Sequence, residues 1–314
     1  MGGKILVIRG GAIGDFILTL PAIAALRGQF PEAHLEVLGY PHIVQLALAA
    51  GLVDRVQAIE SRPLAGFFAR NGELAEDLAD YFSDFDLIVS YLYDPDEIFQ
   101  TNVRRCTVGQ FLAGPHRPDE NIHLHAARVY LKPLERLAIF DADPVPHLSL
   151  NPRPTILNQV ALHPGSGNER KNWPESKWAE LLQHLGATTI SRLLLIGGEA
   201  EGDRLVRFSR LPRVDLTRVQ VAQSLALVEL ASLLQACALF VGHDSGISHL
   251  AAALGLPGII LWGSTSEEIW RPPSESMVVL RHPEGLARLA VTTVIEAFDR
   301  LAPQFASRFP HEIV

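Results

Sequence analysis

Two rhythms of apolar residues alternate along this chain. Short runs of consecutive branched residues, which suit strands buried on both faces, give way to stretches whose apolar positions recur every three or four residues, as on a one-sided helix. Lys4 to Arg9 (KILVIR) is the first run, followed by the glycine turn GGAIGD and the helical pattern FILTLPAIAALRGQF. HLEVLGY (34–40), VDRVQAI (53–59) and DLIVSY (86–91) supply further strands, with helical segments between them. The second half repeats the grammar: QVALHPG, WPESKWAELLQHL, RLLLIGG, EAEGDRLVRFSRL, ALVELASLLQAC, ALFVG, the helix after GHDSG, and GIILWG. Strand and helix in alternation imply right-handed crossovers, a parallel sheet and the α/β class. The halves share architecture and no sequence repeat.

Between Asp141 and Pro154 the prolines Pro144, Pro146, Pro152 and Pro154 crowd together, which disfavours both helix and central strand. The expected division is therefore 1–150 and 151–314, and each part is long enough to bury a core. The final helical stretch, GLARLAVTTVIEAFDRLA, closes the second domain or crosses back to the first; its pattern leaves both open.

Composition narrows the function classes. Hydrophobic residues make up 48% and charged residues 20% of the 314, as in an ordinary globular enzyme. The net charge of −8 argues against a general nucleic-acid binder, whose footprint is basic. Cys106 and Cys237 are the only cysteines and fit neither a disulfide framework nor a cysteine zinc site. The chain enters its first strand without a secretory signal, so a cytoplasmic location is expected. No apolar run nears the roughly 20 residues needed to span a bilayer, which leaves only peripheral membrane contact. Arg104 and Arg105 are the candidates for meeting anionic head groups.

Four stretches fall at strand-to-helix turns, where open α/β sheets place their ligands: GGAIGD, HPGSGNERKNWP, GGEAEGD and GHDSGISHL. Gly10, Gly11 and Gly14 invite a dinucleotide reading with Glu36 as the ribose acid. The GxGxxG spacing is absent, however, and Ile13 and Asp15 crowd the turn. Asp15 suits either a partner for the helix dipole or a base facing a crevice. Gly165 and Gly167 flank Ser166 and precede Lys171, one of only four lysines, so backbone N–H groups plus an ammonium can neutralise a diphosphate there. This is not a Walker A loop. In GHDSGISHL, Asp244 or Ser245 suits the N-cap, and Gly246 leaves the first turn of the helix open to an anion. His163, His243 and His249 form no recognisable metal pattern, and no GxSxG elbow supports Ser245 as a nucleophile.

Together, ILVIRGGAIGDFILTLPAIAALR, ALHPGSGNERKNWPESKWAEL and FVGHDSGISHLAAALGLP resemble the glycosyltransferase family 9 heptosyltransferases of lipopolysaccharide core assembly. The resemblance implies a GT-B fold: two Rossmann-like domains facing a central cleft, the acceptor on the N-terminal one and the nucleotide sugar on the C-terminal one. It implies that Asp15 is the general base, with Gly14 beside it contacting substrate. It makes Ser166, Gly167 and Lys171 the phosphate-binding loop, and Asp244, Ser245, Gly246 and His249 the donor-contacting signature. By the same resemblance Glu201, or its neighbour Glu199, is expected to contact the nucleoside. His243 departs from the family's usual residue before the Asp, and the segments from Arg62 to Arg128 match no acceptor-facing pattern.

The expected activity is inverting, metal-independent and cofactor-free transfer of a heptose from ADP-heptose to a sugar hydroxyl of a lipid-linked core oligosaccharide. It would take place in the cytoplasm or peripherally on the inner face of the inner membrane. The rivals are the same fold with another nucleotide sugar or another acceptor (a surface polysaccharide or a protein), a dinucleotide-dependent oxidoreductase, and a catalytically silent sugar-nucleotide binder.

Overall fold

The computed structural model describes residues 2–301 apart from 151–155, 157, 168, 190 and 213. Of the four crowded prolines, Pro152 and Pro154 lie outside the described residues. The chain divides into two compact units, Met1–Leu148 and Ser149–Val314.

In the first unit the chain runs β1 (Lys4–Arg9), α1 (Ile13–Gln29), β2 (His34–Gly39), α2 (Pro41–Ala49), β3 (Arg55–Ala58), α3 (Glu76–Ser83), β4 (Leu87–Ser90), α4 (Ile98–Arg104), β5 (Gln110–Ala113) and α5 (Ala126–Leu131). The strands form a parallel sheet in the order β3-β2-β1-β4-β5. Leu6, Ile8, Leu38 and Ile88 project from it into a core that also holds Phe67, Phe82 and Phe99. Phe82 packs against Phe67 at 4.9 Å between ring centroids and edge-on against Phe99 at 6.1 Å.

The second unit runs β6 (Gln159–His163), α6 (Glu175–Thr188), β7 (Arg192–Gly197), α7 (Gly202–Ser209), β8 (Val219–Gln223), α8 (Leu227–Gln235), β9 (Leu239–His243), α9 (Gly246–Ala253), β10 (Gly258–Leu261), α10 (Glu267–Trp270), β11 (Met277–Leu280) and α11 (Val291–Leu301). Its sheet is also parallel, in the order β11-β10-β9-β6-β7-β8. Val160, Leu162, Leu193, Leu239 and Ile259 meet Trp173 and Trp178 in the core. Val294 and Phe298 of α11 join the same cluster, so through Leu301 the last helix closes the second unit.

The apolar rhythm marks every central strand and misses β5, β8 and β11. All three lie at sheet edges. Each is short and partly exposed: QFLA and VQVAQ hold no run of branched residues, and MVVL is apolar throughout but too short to be told from a helical turn.

The aromatic cluster generates a stability prediction. Phe82→Ala removes a fully buried ring and leaves a cavity between Phe67 and Phe99, and should cost about 3–5 kcal/mol. Urea unfolding of the whole chain measures it; a loss below about 1 kcal/mol would mean that the cluster closes over the gap.

Candidate functional site

Each sheet reverses direction once. In the first unit the chain moves outward from β1 through β2 and β3, then returns to the other side of β1 with β4. In the second it moves from β6 through β7 and β8, then returns beside β6 with β9. At such a switch point the crossovers on the two sides diverge and leave a crevice at the carboxyl ends of the central strands. The loops after β1, β6 and β9 carry most of the candidate residues.

After β1, Gly11 adopts φ +101°, a left-handed conformation in which a Cβ would also press on the Asp15 carboxylate at 3.0 Å. Ala12 is the N-cap of α1, Gly14 the second helical residue and Asp15 the third. Ala12 has no side chain that can cap, so the helix end is closed from the other direction. Asp15 Oδ2 accepts the Ala12 N–H at 3.0 Å, half of a capping box. Its Oδ1 lies 3.6 Å from Arg9, and the side chain stays 29% exposed. Asp15 is thus a helix-terminal carboxylate with one oxygen engaged in the turn and part of its surface open to a ligand.

Arg9 is the residue here that pattern reading missed. Its side chain is 2% exposed and donates to the carbonyls of Tyr91 at 3.2 Å and His116 at 2.9 Å. It also donates to the Asp15 carbonyl at 3.4 Å and stacks 4.5 Å from the Tyr130 ring centroid. The available signal was one charged residue ending an otherwise apolar strand; a buried guanidinium survives only with such partners.

In the second unit the structure brings Lys171 and Asp244 together, with Lys171 Nζ 2.7 Å from Asp244 Oδ2. Asp244 is largely buried, while Lys171 is about one-third exposed. Ser166 Oγ donates to Asn172 Oδ1 at 2.7 Å, which folds the loop back on itself. Gly167 is exposed and holds φ +70°. Of the two capping candidates the N-cap of α9 is Ser245, whose hydroxyl accepts from the Ser248 N–H. The Ser245 hydroxyl also lies 3.3 Å from His163 Nδ1. α9 begins at Gly246, so the amides of Gly246 and Ile247 have no intrahelical acceptor. His249 is buried one turn further on. After β7, Glu201 accepts the Gly198 N–H at 2.9 Å. It packs so closely on the loop after β6 that a Cβ at Gly165 would lie 2.5 Å from its carboxylate. Glu199 is exposed.

His243, fully buried at the end of β9, binds this loop system together. Its Nε2 accepts the Trp173 backbone N–H at 2.8 Å and the Trp178 indole N–H at 3.2 Å. With Nε2 accepting twice, the proton sits on Nδ1 and is donated to the Gly165 carbonyl at 3.2 Å. Burial pushes the imidazole down to about 4 and keeps it neutral. Burial pushes His163 down to about 3, with His243 nearby adding to the effect.

Glu36 does not reach a ligand edge. It is the third residue of β2, buried, in register with Leu6 and Arg55. It is held by His34 at 2.8 Å and by the Tyr81 hydroxyl at 3.2 Å. The ribose-acid position of a dinucleotide site is therefore unfilled by this residue. Arg104 and Arg105 are exposed on the first unit, with Arg104 over the Phe111 ring and Arg105 donating to Gly72 and Asn102. Among the described residues no group of three or more His, Cys, Asp or Glu is placed to hold a metal ion. No described helix is long and apolar enough to cross a membrane.

The two buried imidazoles set a pH dependence. Their folded-state pKa values lie below the ordinary 6.5, so under pH 6.5 the unfolded chain binds protons that the folded chain refuses. Their contribution is complete above pH 6.5 and is lost as pH falls toward 4. Unfolding should take up about one extra proton at pH 6.5, rising to about two near pH 5, a slope of roughly 1 kcal/mol per pH unit for each imidazole. Denaturation midpoints across that window check it; a flat profile would contradict it.

A sequence profile of glycosyltransferase family 9 (heptosyltransferase) matches residues 138–296. The chain is 22% identical over 342 residues to lipopolysaccharide heptosyltransferase 3 of Escherichia coli, covering 92% of this chain and 96% of that protein. It is similar in fold to the family 9 glycosyltransferase of Veillonella parvula, with a TM-score of 0.79, 18% identity and coverage of 96% and 97%. It is likewise similar to E. coli heptosyltransferase WaaC with ADP, with a TM-score of 0.75, 19% identity and coverage of 95% and 100%. The two parallel, doubly wound sheets are those of the GT-B class, and the profile match makes the chain a glycosyltransferase. With the profile matched over half its length, it belongs to glycosyltransferase family 9, the heptosyltransferase family.

Proposed function

We propose that this glycosyltransferase moves a heptose from ADP-heptose to a sugar hydroxyl of a lipid-linked lipopolysaccharide core, by one inverting displacement. The observation that carries the reading is the Lys171–Asp244 pair, set at the switch point between β6 and β9 beside a glycine loop and the start of α9. An ammonium, loop amides and the open N-terminus of a helix are complementary to a diphosphate. The ADP bound to the E. coli relative supports adenine in the donor. The E. coli relative named as a lipopolysaccharide heptosyltransferase supports the acceptor class.

In this reading the C-terminal unit, 151–314 by sequence, takes the nucleotide sugar and the N-terminal unit, 1–150, takes the acceptor. Ser166, Gly167, Lys171, Asp244, Ser245, Gly246 and His249 serve the donor, and Glu201 serves its nucleoside. The acceptor oxygen attacks the anomeric carbon as its proton passes to the Asp15 carboxylate. The bond from that carbon to the diphosphate oxygen breaks, and the electron pair leaves with ADP. Lys171 and the first-turn amides of α9 stabilise the charge on the departing oxygen. A polar acceptor head on a membrane lipid is then met peripherally, from the cytoplasmic side.

Two variants separate the roles. Lys171→Ala removes a charge-assisted contact and leaves the Asp244 carboxylate without its ammonium partner. ADP affinity should fall by about one to two decades, or roughly 1.5–3 kcal/mol. Calorimetric titration of the folded variant measures this, and unchanged affinity would overturn the donor-site assignment.

Asp15→Asn retains an acceptor for the Ala12 N–H, so the turn should survive. ADP affinity should stay near wild type while turnover drops by about two to four decades, the range for losing a general base. Near-normal turnover, or a product with the donor's anomeric configuration retained, would sink the single-displacement role of Asp15.

A further inference from the structure

Between Gly165 and Trp173 the chain leaves the β6 edge, carries Ser166 and Lys171, and re-enters the core at the start of α6. Both ends of this segment are bonded to one side chain that belongs to neither flanking element. His243 Nδ1–H donates to the Gly165 carbonyl at one end, and Nε2 accepts the Trp173 N–H at the other. The ring itself is held edge-on by Trp178, 5.4 Å between centroids, and Trp178 by Trp173 at 5.7 Å. The indole N–H of Trp178 fills the second acceptor direction at Nε2. No solvent reaches the imidazole.

The next residue in the chain is Asp244, the partner of Lys171. The Ser248 hydroxyl closes back on the His243 carbonyl, so the first turn of α9 is tied to the same residue. One buried ring and its peptide therefore join the loop after β6, the start of α6 and the turn into α9. By contrast, Lys171 at the loop's outer part is about one-third exposed. The span of loop between two buried ties is short, and its position depends on where those ties are set.

We infer that His243 is a positioning residue for donor binding: it sets the height and angle of the Gly165–Trp173 segment, so that Ser166 and Lys171 are preorganised for a diphosphate. It touches no substrate itself. Its effect passes through Gly165 and Trp173, and it requires the neutral imidazole with the proton on Nδ1. The inference rests on the proposed donor site and adds to it the residue that holds the site in place.

The test uses the full chain with ADP as the probe. His243→Phe keeps an aromatic of similar size and removes both the donor and the acceptor. His243→Gln keeps an acceptor near the position of Nε2 and loses the donor to Gly165. Leu234→Ala, a core variant in α8 outside the cluster of Trp173 and Trp178, serves as a control for general destabilisation. The expected result is more than a tenfold loss of ADP affinity in His243→Phe, a smaller loss of about threefold to tenfold in His243→Gln, and no change in Leu234→Ala. At saturating donor, turnover in both His243 variants should recover more than the affinity does, because the ring does not touch the reacting atoms.

ADP affinity within twofold of wild type in either folded His243 variant would overturn the inference. So would an equal loss in Leu234→Ala. Hydrogen exchange in the wild-type protein supplies a readout that needs no variant. The Trp173 amide should be protected without ligand, and further protected at saturating ADP. Exchange at the rate of an exposed loop would overturn the inference even if the variants failed to fold. Wild-type protein that does not bind ADP would instead remove the donor-site reading. ADP binding that is weakened by Lys171→Ala and indifferent to His243 would remove only the positioning role.

Discussion

Parallel pairing is the constraint on which the rest of this molecule depends. Parallel strands cannot be joined by tight turns, so every strand end must launch a loop and a crossover helix. In both units the chain starts at a central strand, winds outward, and returns to that strand's other side. The loops at the carboxyl end of the central strand then have helices diverging on either side, and the backbone there is left open to a ligand. Asp15 follows β1, Lys171 follows β6 and Asp244 follows β9 for this one reason.

The same geometry explains why so much of the buried polar chemistry collects at strand ends. A charged group placed at the carboxyl edge must either face solvent or be satisfied from the neighbouring loops. The terminal nitrogens of Arg9 are satisfied by the carbonyls of Tyr91, His116 and Asp15, with Tyr130 beneath the guanidinium, while its buried Nε finds no hydrogen-bond partner among the described residues. Asp244 is satisfied by Lys171. His243 is satisfied by Gly165, Trp173 and Trp178. Each of these groups would be costly to bury alone, and each instead ties two loops together. In the first unit that arrangement leaves a carboxylate partly exposed. In the second it leaves an ammonium beside a glycine loop and a helix start. In the proposed reaction the carboxylate takes the acceptor proton and the ammonium meets the diphosphate.

What could be read along the chain follows from burial. Central strands such as Lys4–Arg9, Gln159–His163 and Leu239–His243 are covered on both faces, so burial demands branched apolar runs that stand out in the sequence. Of the edge strands, Gln110–Ala113 and Val219–Gln223 meet no such demand and leave no run to read, while Met277–Leu280 is an apolar run too short to be told from a helical turn. The glycine turns and the order of the three motifs also belong to the sequence, because turn chemistry is local. They pointed to the α/β class, to family 9, and to Asp15, Lys171 and Asp244 as residues at loop edges.

Tertiary structure decided the questions in which residues distant in sequence meet. Glu36 has the right residue type for a ribose contact, yet strand register puts it in mid-sheet beside Arg55 and under Tyr81. The amphipathic pattern of Val291–Leu301 suits any apolar surface; packing of Val294 and Phe298 with Trp173 and Trp178 assigns it to the second unit. The sequence also offers no reason to connect His243 with Gly165 and Trp173, which lie about seventy residues or more away. Local pattern determines which elements form and where their turns fall, because it reflects each residue's own burial and backbone preference. Which polar groups share a hydrogen bond is set by strand order and register, and only the folded sheet brings β6 and β9 side by side.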